Sequence, residues 1–177
     1  MRFVISCVSL AIVASGCGRF GAMSSSNSAG GGASASVHDA AGRELGILTV
    51  SESDGGLLTS GVLRGLAPGT HGIHIHATGQ CTAPFATAGG HWNPAVHQHG
   101  FDNPQGPHAG DMQNIVVGVD SAAAINVKTR SGTLRGPNGL LDADGAAIVV
   151  HAGPDDYKTD PAGNSGARVA CGVIVGK

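Results

Sequence analysis

Aromatic side chains are scarce in this 177-residue chain: Phe3, Phe20, Phe85, Trp92, Phe101 and Tyr157 are all it has, 3% of the sequence. Charged residues are scarce too, at 12% against roughly 25% in ordinary soluble domains. Ten basic residues against twelve acidic ones leave a formal charge of −2, without the basic footprint that a nucleic-acid partner requires. No apolar run reaches the roughly 20 residues that a membrane-spanning helix needs. Beyond the N-terminus no stretch sustains a helical period over a useful length. What the chain does have is 41% hydrophobic residues, enough to exclude a disordered chain, together with 30 glycines and nine histidines. Its length suits one domain or at most a small pair. A glycine-rich, helix-poor, histidine-rich chain reads as a loop-heavy β protein that holds metal.

Residues 1–16 have the layout of a secretory leader, with Arg2 as the positive start and an apolar run from Phe3 to Val13. The run ends in Val13-Ala14-Ser15-Gly16-Cys17, which resembles a bacterial lipobox and makes Cys17 the expected site of lipidation; plain secretion is the alternative. A singly acylated chain binds a membrane only marginally, so anchoring at Cys17 needs several acyl chains. Residues 17–33 are rich in Gly, Ser and Ala and read as a flexible tether, leaving 34–177 as the folded domain. With Cys7 in the leader and Cys17 lipidated, Cys81 and Cys171 remain, and an isolated pair in an exported protein is expected to be a disulfide. Such a bridge closes about 90 residues of chain, which loop entropy values at roughly 4 kcal/mol.

Short β-branched segments alternate with turn signals through the domain. Leu45–Val50, Leu57–Leu63, Ile73–His76, Ile115–Val119, Ala124–Lys128, Ala146–His151 and Val169–Val175 read as strands, and Ser34–His38 adds an eighth. Ala41-Gly42, Asp54-Gly55-Gly56, Pro68-Gly69, Pro137-Asn138-Gly139 and Asp144-Gly145 mark turns between them. The pattern predicts an all-β, eight-stranded antiparallel sandwich or barrel. Residues 77–111 and 152–167 break it: both are long, irregular and functional in length.

The histidines gather on and beside these loops. In His74-Ile75-His76 the two imidazoles share one strand face while Ile73 and Ile75 point to the core. His151 ends another strand, and His91, His99, His108 and Asp111 follow one another along the first loop. His38 and His97 are expected at the surface, without a ligand role. A cupin site explains the His-x-His pair, but that pattern expects a glutamate shortly after it, where this chain has Thr78, Gly79, Gln80 and Cys81. A lone structural zinc site explains the loop cluster and leaves His74, His76 and His151 without work.

Taken together, His71-Gly72-Ile73-His74-Ile75-His76, Ala88-Gly89-Gly90-His91-Trp92-Asn93-Pro94, His99-Gly100, His108-Ala109-Gly110-Asp111, Asp142-Ala143-Asp144-Gly145 and Gly163-Asn164-Ser165-Gly166-Ala167-Arg168-Val169-Ala170-Cys171-Gly172 resemble the copper/zinc superoxide dismutases in their exported bacterial form. The resemblance covers essentially all of 34–177 and implies a Greek-key barrel with two long metal-holding loops. It implies copper on His74, His76, His91 and His151, a nitrogen set suited to Cu(II). It implies zinc on His91, His99, His108 and Asp111, a closed tetrahedral set, with His91 bridging the two metals. Asp155 then links a ligand of each metal, and His71 orients the copper histidines from behind. Arg168 meets the incoming anion, and Lys158 in the same loop adds to the local positive field.

The function implied is dismutation of superoxide to dioxygen and hydrogen peroxide, an oxidoreductase with one copper and one zinc per subunit. His91 serves there as proton carrier and Arg168 as substrate guide. The location implied is the periplasm or cell envelope, with membrane contact only through the lipid on Cys17. Oligomeric state is left open, a homodimer included. The alternative is a non-catalytic copper- or zinc-binding module on the same fold, which fits a chain lacking a copper ligand or the channel arginine.

Overall fold

The computed structural model describes residues 31–177; the leader, Cys17 and most of the tether lie outside the described residues. The elements are β1 (Ala33–Asp39), β2 (Glu44–Ser53), β3 (Gly56–Arg64), β4 (Gly69–His71), β5 (Ile73–His76), β6 (Ile115–Val117), β7 (Ala122–Lys128), β8 (Ala146–His151) and β9 (Arg168–Gly176), with one short 3-10 turn at Ala86–Ala88. Seven strands form an antiparallel sheet in the order β5-β8-β9-β1-β2-β3-β7, and β4 pairs with β6. All eight segments predicted as strands are present, with some ends shifted by a few residues. The ninth, β4, starts on the glycine of the predicted Pro68-Gly69 turn and exists by pairing Gly69 with Val117 and His71 with Ile115. Three residues carry no periodicity of their own, so only the distant partner reveals them.

Side-chain alternation builds the barrel interior. Ala33, Ala35 and Val37 of β1, Leu48 and Val50 of β2 and Ile73 and Ile75 of β5 are buried in one apolar cluster. In β2 the inward set changes parity between Leu45 and Leu48, because the β1–β2 register shifts after Val37, where one extra residue bulges out. Strand β8 is buried at every position. Ala146, Ile148 and Val150 join the barrel core. Ala147 and Val149 turn the other way, into a second cluster with Phe85, Ala88 and Cys171. The loop over this outer face explains why β8 reads as a continuous apolar run.

That loop is held at two ends. Cys81 and Cys171 form a disulfide across a sequence separation of 90, tying it to β9. Further along it docks on the free edge of β5: Trp92 N–H donates to the Ile75 carbonyl at 2.8 Å and Ile75 N–H to Gly110 at 2.9 Å. These bonds create isolated bridges pairing His76 with His91 and His74 with Asp111. The second long loop leaves β8 at His151 and returns at Arg168. Gly72 N–H donates to the Gly153 carbonyl at 2.8 Å, holding its start against β5. Both loops therefore converge on the outward face of β5 and the end of β8.

Candidate metal centre

The β5–β8 register sets His74 opposite Val149 and His76 opposite Ala147, so both imidazoles leave the barrel on the face that the loops cover. His151 arrives beside them through a second register shift between Val150 and His151, and His91 through its bridge to His76. All four rings are buried. In each, one nitrogen has no hydrogen-bond partner: Nδ1 of His74 and Nε2 of His76, His91 and His151. One ring nitrogen from each of the four histidines lies within 4.8 Å of the others. Buried polar atoms normally find partners, so four convergent orphans demand a common one. A metal ion that takes imidazole nitrogen satisfies them all.

The opposite nitrogen of each ring is occupied, which selects the tautomer. His74 Nε2–H donates to Asp155 Oδ2 at 2.7 Å, His76 Nδ1–H to the Gly89 carbonyl at 2.9 Å and His151 Nδ1–H to the Gly166 carbonyl at 3.2 Å. Burial pushes His76 down to about 2, with repulsion from His91 and Arg168 adding to it. Burial likewise pushes His91 and His151 down to about 4, and lowers His74 against the pull of Asp155. Neutral imidazoles with free lone pairs result, as metal ligation requires.

The second set is built differently. His91 Nδ1 lies 2.8 Å from Asp111 Oδ1, His99 Nδ1 3.1 Å and His108 Nδ1 3.3 Å; His91 and His108 Nδ1 are 3.3 Å apart. Donors placed about 2.0–2.1 Å from a tetrahedral ion stand roughly 3.3 Å from one another, so this spacing suits zinc. Burial would raise the Asp111 carboxyl, but hydrogen bonds from His108, His91 and His99 hold it far below the usual carboxylate range. For His99, burial lowers the imidazole, yet the bonds to Asp111 and Asp155 prevail and raise it to about 9. This corner favours positive charge, and a divalent cation supplies it.

Asp155 joins the sets: Oδ2 takes the His74 proton and Oδ1 accepts from His99 Nε2 at 2.9 Å. Burial opposes ionisation of Asp155, but the hydrogen bonds from His74 and His99 win and lower it. Asn114 clamps its backbone, donating to the Asp155 carbonyl at 2.8 Å while accepting the Asp155 N–H at 2.8 Å. Gly163 passes so near the Asp155–His99 bond that any Cβ there would strike the carboxylate. His71 Nδ1 bonds to the His151 backbone carbonyl at 2.7 Å, so it touches the main chain of His151 and not its ring.

A cleft of about 380 Å³ opens onto His76, His91 and His151, rimmed by Pro161, Ala162, Gly166 and Arg168. Arg168 is fixed at its edge, Nη1 donating to Phe85 O at 2.7 Å and Nη2 to Gly89 O at 2.6 Å. Lys158 is exposed and does not line the cleft. The chain turns at Asp156, whose carboxylate takes the backbone N–H groups of Lys158 and Thr159. His97 is exposed, and His38 faces Glu44 at 4.0 Å on another part of the surface. Neither joins a ligand set. Sequence reading missed the carbonyls of Gly89 and Gly166 as tautomer-setting groups, because a main-chain acceptor leaves no mark on residue type. It also missed Asn114, whose only sequence signal is its place just past Asp111.

A family sequence model for copper/zinc superoxide dismutase (SODC) matches residues 45–174. A Caulobacter vibrioides protein named superoxide dismutase [Cu-Zn] is 46% identical over 147 residues, 80% of this chain and 84% of that one. An Aquifex aeolicus protein named superoxide dismutase [Cu-Zn] 2 is 44% identical over 137 residues, 75% of this chain and 80% of the other. Among solved structures, a superoxide dismutase-like protein of Bacillus subtilis superposes with a TM-score of 0.76 at 38% identity, covering 80% of this chain and 97% of its own.

Proposed function

The chain belongs to the copper/zinc superoxide dismutase family, and from that premise we propose that it converts two superoxide anions and two protons into dioxygen and hydrogen peroxide at the paired histidine sets. Copper belongs on His74, His76, His91 and His151, and zinc on His91, His99, His108 and Asp111. The observation that carries the reading is the convergence of four buried imidazoles, each with an unpartnered nitrogen, three of which line a cleft. Bound copper supplies one-electron redox chemistry, and zinc, which has none, supplies fixed positive charge.

The protein's own groups do the rest. Arg168 attracts the anion and aligns it at the mouth, its guanidinium prevented from swinging by the Phe85 and Gly89 carbonyls. Pro161, Ala162 and Gly166 narrow the approach without adding a carboxylate that would repel the substrate. His91 uses Nδ1 in one set and Nε2 in the other. It is therefore the residue that can hold a proton at Nε2 and pass it to the departing peroxide. Asp155 and the Gly89 and Gly166 carbonyls keep the other rings in the tautomers that ligation needs. His71 supports His151 through its backbone.

The 1–16 leader and Cys17 support an exported enzyme held in the cell envelope by lipid, with 34–177 as its catalytic domain; the Cys81–Cys171 disulfide accords with an oxidising compartment. A non-catalytic metal module would not need the full copper set together with a fixed Arg168. The test is superoxide decay measured by stopped flow with the full chain carrying copper and zinc. Acceleration that vanishes in His151→Ala is expected, and no acceleration by the fully metallated protein would overturn the proposal. Acyl mass on Cys17, read from membrane-extracted protein, tests the anchor.

A further inference from the structure

Each ligand imidazole presents one nitrogen to its metal and needs a partner on the other to fix the ring. His74 and His99 use Asp155, His76 uses Gly89, His151 uses Gly166, and His91 divides its nitrogens between the two sets. His108 is the exception. Its Nδ1 faces Asp111, while its Nε2 looks toward Asp160 Oδ1 at 3.7 Å. That is too long for a direct hydrogen bond, but it suits an ion pair or a single bridging water. Among the described residues, no other carboxylate stands within ion-pair distance of this nitrogen.

The carboxylate is not loosely placed. The same Oδ1 accepts the His99 backbone N–H at 2.6 Å. The Asp160 side chain is 48% exposed and that of His108 only 8%, so the charge stands between the buried ring and solvent. His99 and His108 belong to the first long loop and Asp160 to the second, and the next two residues, Pro161 and Ala162, form the rim of the cleft. One side chain of the second loop thus meets two histidines of the first.

We propose that Asp160 is a positioning residue for zinc: its carboxylate holds the His99 main chain and places negative charge behind His108, making Nδ1 of His108 a stronger and better-aimed donor. The proposal rests on reading His91, His99, His108 and Asp111 as the zinc ligands. Negative charge behind a ligating imidazole raises its basicity, and outer partners of this kind are worth about 10- to 100-fold in metal affinity.

The test compares Asp160→Asn, which keeps an oxygen for the His99 N–H but removes the charge, with Asp160→Ala, which removes both. Zinc affinity is measured on the full chain by competition with a chromophoric chelator, and Co(II) loaded in place of zinc reports ligand geometry through its visible bands. About tenfold weaker zinc binding and shifted Co(II) bands are expected for Asp160→Asn, and a loss approaching 100-fold for Asp160→Ala. Copper affinity and the melting temperature of the metal-free chain should stay unchanged in Asp160→Asn. Zinc affinity and Co(II) bands equal to wild type in both variants would overturn the role. So would an equal loss of copper affinity or of metal-free stability in Asp160→Asn, which marks a general structural part. His108→Ala separates the premise: undiminished zinc affinity there removes the ligand reading itself, and the role of Asp160 with it.

Discussion

The two metal sets share His91 but are assembled on opposite principles. Three of the four histidines proposed for copper stand on barrel strands, His74 and His76 on β5 and His151 at the end of β8. Their rings are oriented by Asp155 and by backbone carbonyls, and their lone pairs converge on one another without any bond between them. The proposed zinc ligands His91, His99, His108 and Asp111 all come from one irregular loop. There the ligands touch each other, with Asp111 at the hub: it also accepts the backbone N–H groups of Gly100 at 2.9 Å and His108 at 3.0 Å. A site carried by a packed sheet keeps its geometry by itself. A site carried by a loop needs a central charge to close around, so the zinc side organises the loop and the copper side inherits a scaffold.

The largest expected effect breaks that contrast directly. His151→Ala should remove copper and abolish turnover while zinc content and melting temperature stay near those of the parent, read by metal analysis and calorimetry. Asp111→Ala should empty the zinc set and open the loop between His91 and Asp111 to protease, with copper affinity lowered through displaced His91. If both variants unfold alike, the two halves are one cooperative unit and the distinction fails. Asp155→Asn comes next, because its carboxylate bonds a histidine of each set. Each metal should bind about 10- to 100-fold more weakly, since only one of the two ring protons keeps a good acceptor. Weakening of a single metal would show that the link is one-sided.

Arg168→Ala probes the copper side only. The rate should fall about tenfold and lose salt dependence with metal content unchanged, the low end of what electrostatic steering supplies in enzymes, this family included. Smallest is the response of the metal-free chain to pH, where the halves should move in opposite directions. His76, His91 and His151 are depressed below 6.5 when folded, so their neutral burial is fully accommodated above about pH 6.5 and destabilises as pH falls below it. His99 is raised to about 9, so its contribution is complete below about 6.5 and disappears as pH rises through 9. Hydrogen exchange should show β5 and the end of β8 loosening first in acid and the loop around His99 loosening first in alkali. The same order of opening at both extremes would contradict the opposed shifts.

Much of this was readable in residue order. His-x-His parity on β5 put two imidazoles on one face, and the β-branched run ending at His151 announced a buried strand. Loop lengths and the spacing of His91, His99, His108 and Asp111 pointed to a metal-holding segment. Less was readable where contacts are made by main chain or between distant loops. Gly89 serves His76 and Arg168 at once through one carbonyl, and Asp160 reaches His99 across 61 positions.

By itself the sequence determined eight of the nine strands, the two excursions from them, the histidine-rich composition of those excursions and the cysteine pair left for a disulfide, because each of these is a matter of local period, composition or count. Only the tertiary structure decided which nitrogen of each ring is free, how Asp155 joins the two sets, and how Arg168 is held at the cleft. Those depend on the register of β5 against β8 and on where two long loops cross. A change of one residue in that register would turn His74 and His76 into the barrel and leave the same histidines without a common centre.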